Sequence, residues 1–372
     1  MVAPRLGARG ARAASAMMRG ALRLPAPLLR PLAGPPVRTD DGRELPVSSR
    51  VVMRLIQRSM PTGLHDLVRL RTDSERGGPI LAGNEGRDLW ITDLTVPGAE
   101  GPLRARLYEP PAGREPGPLL VFFHGGGWIL GGVESHEPVC RFLAARSNVR
   151  VLSAEYRLAP EHGFPAQSDD ALAVFRHVTG NPARFGAAPG RIAVGGDSAG
   201  GNLAAAVAHD ALRTGSAPPA WILLIYPATD LLGEYASRTA YGKGFVIDTE
   251  TWTGPEGLIT SLVPYGEDPR LSVIRDPDVA GLPPTYIATG GLDPLRDEGE
   301  AYAERLRTAG VDVTLRRFDL LFHGFASFAC VERHCRAALA EVAREVRRAM
   351  AATAPAAGQA ATGPADDTEV AV

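Results

Sequence analysis

Gly196-Asp197-Ser198-Ala199-Gly200 sets a serine between two glycines, after the apolar run Arg191 to Val194 and before the helical pattern Asn202 to Arg213. G-x-S-x-G in that setting makes a sharp strand-to-helix turn with the serine at its apex. Gly196 and Gly200 leave room for the backbones to pass where any side chain would collide. The hydroxyl is presented at a helix N-terminus, where amide dipoles favour developing negative charge. Nucleophilic attack by Ser198 is the chemistry this offers; the competing reading is a glycine-rich turn with an incidental serine.

His124-Gly125-Gly126-Gly127-Trp128 follows directly on the apolar run Leu119 to Phe123. Consecutive glycines let main-chain N–H groups converge on one point with no side chain in the way. An oxyanion hole needs that arrangement, and one such donor is typically worth about 2.7–4 kcal/mol in the transition state. A phosphate loop is the rival. No lysine follows as in G-x-x-x-x-G-K-[ST], and neither glycine run has the G-x-G-x-x-G spacing.

A serine hydroxyl requires a base, and the base an orienting carboxylate. For a nucleophile on such a turn the chain order expected is serine, acid, histidine. Beyond Ser198 and His209 only His323 and His334 remain. His323, in Phe322-His323-Gly324-Phe325, follows the last apolar strand and is the candidate base. His334 sits within a helical stretch and reads as a surface or core residue. Cys330 and His334 are only two ligands on one helical face, too few for a metal site. Asp293, just past the run Thr285 to Ala288, is the favoured acid. Asp297 and Glu298 read as first-turn helix residues, and Asp319 as part of the preceding strand; these three are the alternatives.

The elements that must position these groups alternate. Buried-strand runs lie at Leu119 to Phe123, Val149 to Ala154, Ile192 to Val194, Trp221 to Tyr226, Thr285 to Ala288 and Val311 to Phe318. Helical patterns fall at Gln167 to Val178, Ala199 to Arg213, Asp297 to Ala309 and Phe325 to Met350. That order predicts a mostly parallel, doubly wound α/β sheet. Two alternating strands in front, Trp90 to Val96 and Leu103 to Leu107, form a hairpin at its antiparallel edge. Val51, Leu55, Met60, Leu64, Leu67 and Leu70 suggest one or two short helices, and Leu231 to Pro283 breaks the rhythm as an insertion.

With 40 basic and 42 acidic residues in 372, no global field points to nucleic acid. Three cysteines, Cys140, Cys330 and Cys335, make no disulfide framework, and the chain reads as cytoplasmic. Residues 1–39 carry seven arginines and no acid, a composition shared with transit peptides. No apolar run there is long enough for a bilayer span. The expected organisation is a disordered or targeting-like leader over 1–45, one domain over 46–350 and a disordered tail over 351–372.

Together these segments resemble the hormone-sensitive-lipase-like branch of the α/β-hydrolases, the bacterial family IV esterases. The resemblance rests on the two glycine motifs, on Tyr156 to His162, on Gly291 to Glu298 and on Phe322 to Phe325, in that order. It departs at Gly163, where the family commonly has proline. It implies an α/β-hydrolase fold with a helical cap, here from 46–75 and 231–283. The catalytic residues implied are Ser198, Asp293 and His323, with the N–H groups of Gly125, Gly126 and Ala199 binding the oxyanion. His124 is implied to be structural, alongside Gly127, Gly196 and Gly200, with Tyr156, Arg157 and Glu161 buttressing the site. The cap insertion carries Tyr235, Tyr241, Phe245 and Trp252, which suit an acyl-pocket wall. The activity implied is hydrolysis of short to medium acyl esters, with lipase, amidase or small-metabolite deacetylase activity on the same triad as alternatives. A non-catalytic receptor on this scaffold would lack the catalytic histidine. No metal or organic cofactor is implied; the partner is a small ester, and a homodimer stays open.

Overall fold

The computed structural model describes residues 7–39, 41–59, 66–111, 116–254 and 257–353. Four helices come first: α1 (Ala8–Ala21), α2 (Ala26–Ala33), α3 (Val47–Ser59) and α4 (Leu67–Ala82). Strands β1 (Trp90–Pro97), β2 (Pro102–Glu109) and β3 (Gly117–Phe123) follow, then α5 (Glu137–Ser147), β4 (Arg150–Ala154), α6 (Ala166–Gly180), β5 (Ala187–Asp197), α7 (Ala199–Thr214) and β6 (Ile222–Ile225). The insertion holds the short helices α8 (Ala236–Tyr241) and α9 (Thr249–Thr253). The chain then closes with β7 (Thr285–Leu292), α10 (Arg296–Thr308), β8 (Val313–Phe322) and α11 (Arg333–Ala352).

The eight strands form one sheet in the order β1-β2-β4-β3-β5-β6-β7-β8. β1 and β2 pair antiparallel, as do β2 and β4, while every pairing from β4 to β8 is parallel. Parallel neighbours need crossover helices, so both faces of the sheet are covered. This is why β3 reads as an unbroken apolar run. Leu120 and Phe122 enter the core shared with α5 and α11, whereas Leu119, Val121 and Phe123 enter the core shared with α6, α7 and α10. All five are fully buried.

Several expectations are corrected. The leader does not read as disordered over its described part. α1 and α2 are helical, and Leu22, Leu29, Ala33 and Leu45 join the core with Val51, Val52 and Met53 of α3. α5 has no counterpart among the expected helices: Val139, Cys140, Phe142, Leu143 and Ala144 recur at helical spacing, but the helix is only 11 residues long and buries polar Glu137 and Ser147 with them, so its two faces are poorly separated. The last helix begins at Arg333 rather than Phe325, where Glu332 accepts the N–H groups of His334 at 2.7 Å and Cys335 at 2.8 Å. A short 3-10 turn, Phe325–Phe328, precedes it. Met60, Leu64, residues 1–6 of the leader and residues 354–372 of the tail lie outside the described residues.

Candidate active site

Ser198 sits between β5 and α7 with φ 54° and ψ −120°. That left-handed conformation is strained for a non-glycine residue and costs of order 1–3 kcal/mol. The tight passage around it explains the flanking glycines. A Cβ on Gly196 would strike the carbonyls of Gly200 and Phe123, and one on Gly200 would strike those of Phe123 and His124.

Asp293 stands one residue past the end of β7, and His323 one residue past β8. Three parallel strands thus deliver all three groups to their C-terminal edge, where sites in such sheets gather. His323 Nε2 lies 2.9 Å from Ser198 Oγ, and His323 Nδ1 lies 2.8 Å from Asp293 Oδ2. The carboxylate is fully buried and its other oxygen accepts the Leu295 N–H at 2.8 Å. Since an ionised carboxylate only accepts, Nδ1 must carry the proton, leaving Nε2 free to take one from the serine. The Tyr226 ring packs beside the imidazole at 4.7 Å between centroids.

The alternative acids are engaged elsewhere. Asp297 accepts from Ser237 N and Arg296 Nε at 2.8 and 2.7 Å. Glu298 accepts the Thr229 N–H at 2.8 Å and pairs with Arg238, tying the insertion to α10. Asp319 pairs with Arg43 at 3.0 Å. His334 is bound to Glu332, its Nδ1 2.9 Å from the carboxylate.

The glycine loop requires one correction. Gly125 N–H donates to Asp197 Oδ1 at 2.9 Å, so it is not available to a substrate oxygen. The residues that reach the cavity beside Ser198 are Gly126, Gly127 and Ala199. Gly126 and Gly127 hold φ of 120° and 61°, a region open to glycine. Ala199 opens α7, where the first amides have no acceptor within the helix.

His124 lies under this loop, Nδ1 donating to Gly125 O at 2.9 Å, with its ring stacked on Tyr156 at 4.2 Å. Burial, helped by His136, pulls its pKa down to about 3, so the ring stays neutral and serves structure. Tyr156 OH donates to His124 O at 2.8 Å. Arg157 pairs with buried Asp170 at 2.8 Å, and Glu161 pairs with Arg71 of α4 at 2.7 Å. His136, which no motif marks, lies behind the loop with Nε2 3.2 Å from Asp197. Burial would raise the Asp197 carboxyl, yet His136 and the Gly125 N–H outweigh it and hold it below the ordinary range.

Above Ser198 is a mostly apolar cavity of about 410 Å³. α3 and α4 supply Ile56, Leu70 and Leu81, and the insertion supplies Val246, Trp252 and Ile259. Of the four aromatics expected in the pocket wall, only Trp252 reaches it. Tyr241 and Phe245 pack on each other at 5.1 Å, and Tyr235 OH donates to Asp230 at 3.0 Å.

A family model described as the alpha/beta hydrolase fold matches residues 120–327, more than half of the chain. This chain is an α/β-hydrolase. The hydrolase is 46% identical over 245 residues to the carboxylic ester hydrolase LipN of Mycobacterium tuberculosis, matching 63% of this chain and 64% of that protein. The chain thus spans slightly less than two thirds of LipN. It is 41% identical over 252 residues to the carboxylesterase NlhH of the same species, covering 66% of this chain and 78% of the relative. Among solved structures, a hyperthermophilic esterase from the archaeon Pyrobaculum calidifontis superposes with a TM-score of 0.75 at 38% identity, covering 83% of this chain and 99% of that one. The hydrolase's three cysteines are free and buried. Among the described residues, no helix is long and apolar enough to cross a membrane.

Proposed function

We propose that this hydrolase cleaves carboxylic esters of short to medium acyl chain through an acyl-enzyme formed on Ser198. The observation that carries the reading is the hydrogen-bonded chain Ser198–His323–Asp293 at the base of an apolar cavity. Ser198 Oγ attacks the ester carbonyl as His323 Nε2 takes its proton. Asp293 holds the imidazole in the required tautomer and stabilises its charged form. The carbonyl oxygen, now an anion, receives the N–H groups of Gly126, Gly127 and Ala199. Collapse expels the alkoxide, which takes the proton from His323. Water then repeats the sequence on the acyl-enzyme, releasing the acid and restoring the serine.

At about 410 Å³ the cavity lies near the lower end of the roughly 300–1,000 Å³ usual for small-molecule sites. That favours short and medium chains over long ones. The test is steady-state hydrolysis of p-nitrophenyl esters of increasing acyl length. kcat/KM should peak among short to medium chains. A peak at long chains would make the enzyme a lipase, and no turnover of any ester would end the reading.

A further inference from the structure

We propose that the outer face of α2, with the adjoining side of α3, docks the protein onto an anionic lipid surface. Leu28 and Leu32 of α2 are 61% and 55% exposed, and as i, i+4 neighbours they share one face of the helix. Leu24, a turn earlier in sequence, is 47% exposed, and Leu55 of α3 is 51% exposed. Leu29 and Ala33, each about 100° further round α2, are buried in the core with Val51, Val52 and Met53. The outward leucines are therefore not needed to hold the helix to the fold.

Charge selects the occupant. Described residues 7–39 contain Arg9, Arg12, Arg19, Arg23, Arg30 and Arg38 and no acidic residue. Arg9, Arg12, Arg23 and Arg30 are exposed. Exposed leucines on a short helix within an arginine-rich, acid-free segment suit the plane of a membrane interface, apolar groups among the acyl chains and guanidinium groups reaching the headgroup phosphates. The same cap serves the site, because Ile56, next to Leu55 on α3, lines the cavity.

The test is co-sedimentation of the full chain with vesicles of phosphatidylcholine alone and of phosphatidylcholine mixed with phosphatidylglycerol, at low and high salt. Binding is expected to the mixed vesicles at low salt only. Replacing Arg23→Gln with Arg30→Gln should weaken partition about 25-fold, from roughly fivefold per arginine near an anionic surface. Leu28→Ser with Leu32→Ser should weaken it at least about tenfold. Both variants should turn over a water-soluble p-nitrophenyl ester at the parent rate, which shows that the fold survives. Absence of binding by the parent chain, equal binding to neutral vesicles, or variants that bind unchanged would overturn the proposal. So would self-association at high protein concentration, abolished by the leucine changes, without vesicle binding; the face would then belong to a second copy.

Discussion

Asp197, the residue immediately before the nucleophile, accepts the Gly125 N–H at 2.9 Å and so pins the glycine loop to the serine turn. Its carboxylate is buried and also faces His136 Nε2 at 3.2 Å. One side chain thereby sets the distance between nucleophile and anion-binding amides.

That link predicts a kinetic effect for a residue outside the Ser198–His323–Asp293 chain. Asp197→Ala should lower kcat by about 10²-fold, the scale of a displacement near 1 Å in a positioned site. KM should change little, because the apolar lining from Ile56, Leu70, Leu81, Val246, Trp252 and Ile259 is kept. Asp197→Asn, which keeps an acceptor oxygen, should lose far less. Steady-state kinetics on one p-nitrophenyl ester, read as separate kcat and KM, decide it. Equal losses in both variants would argue against the hydrogen bond.

Ser198→Ala should lower kcat by about 10⁴–10⁶, as triad knockouts do, with the fold kept since the residue lies at a turn. Circular dichroism of the variant checks the second part. Turnover within tenfold of the parent would remove Ser198 as the nucleophile.

What the sequence disclosed and concealed follows from local versus tertiary causes. β3 was legible because burial on both faces leaves the unbroken run Leu119 to Phe123, and the serine turn because Gly196 and Gly200 are dictated by backbone crowding. The occupied amide was not legible. Gly125 and Gly126 are the same residue type, and only the Asp197 side chain arriving from β5 separates them. α5 stayed hidden because α4 and α11 pack on it from two sides, so that even Glu137 and Ser147 are buried and its polar face shrinks to Arg141 and Arg146. The helical start of the chain stayed hidden because arginines and prolines mask the few inward positions, Leu22, Leu29 and Ala33.

Trp252 should set the acyl-length limit. It lines the cavity from α9, and a Cβ on Gly127 would collide with its ring, so the indole sits directly over the glycine loop. Trp252→Ala should shift the preferred p-nitrophenyl ester to longer chains and lower kcat/KM for the shortest by up to about tenfold, through lost apolar contact. An unchanged chain-length profile would place the limit elsewhere in the cap.

Stability in acid should depend on Glu332, which caps α11 and accepts the Ser48 hydroxyl of α3 at 2.7 Å. Burial by itself would raise this carboxyl, but His334, the Cys335 N–H and Ser48 overcome it and pull the pKa from 4.5 to about 2. A folded-state pKa below the unfolded one means that the charged form favours folding. The contribution is complete above pH 4.5 and is lost as pH falls towards about 2. At about 1.4 kcal/mol per unit, its full size is on the order of 3 kcal/mol. Glu332→Gln should lower the urea midpoint at neutral pH and converge with the parent near pH 2, because the parent is then protonated as well. A gap between the two proteins that stays constant across the acid range would mean that packing around residue 332, rather than its charge, joins α3 to α11.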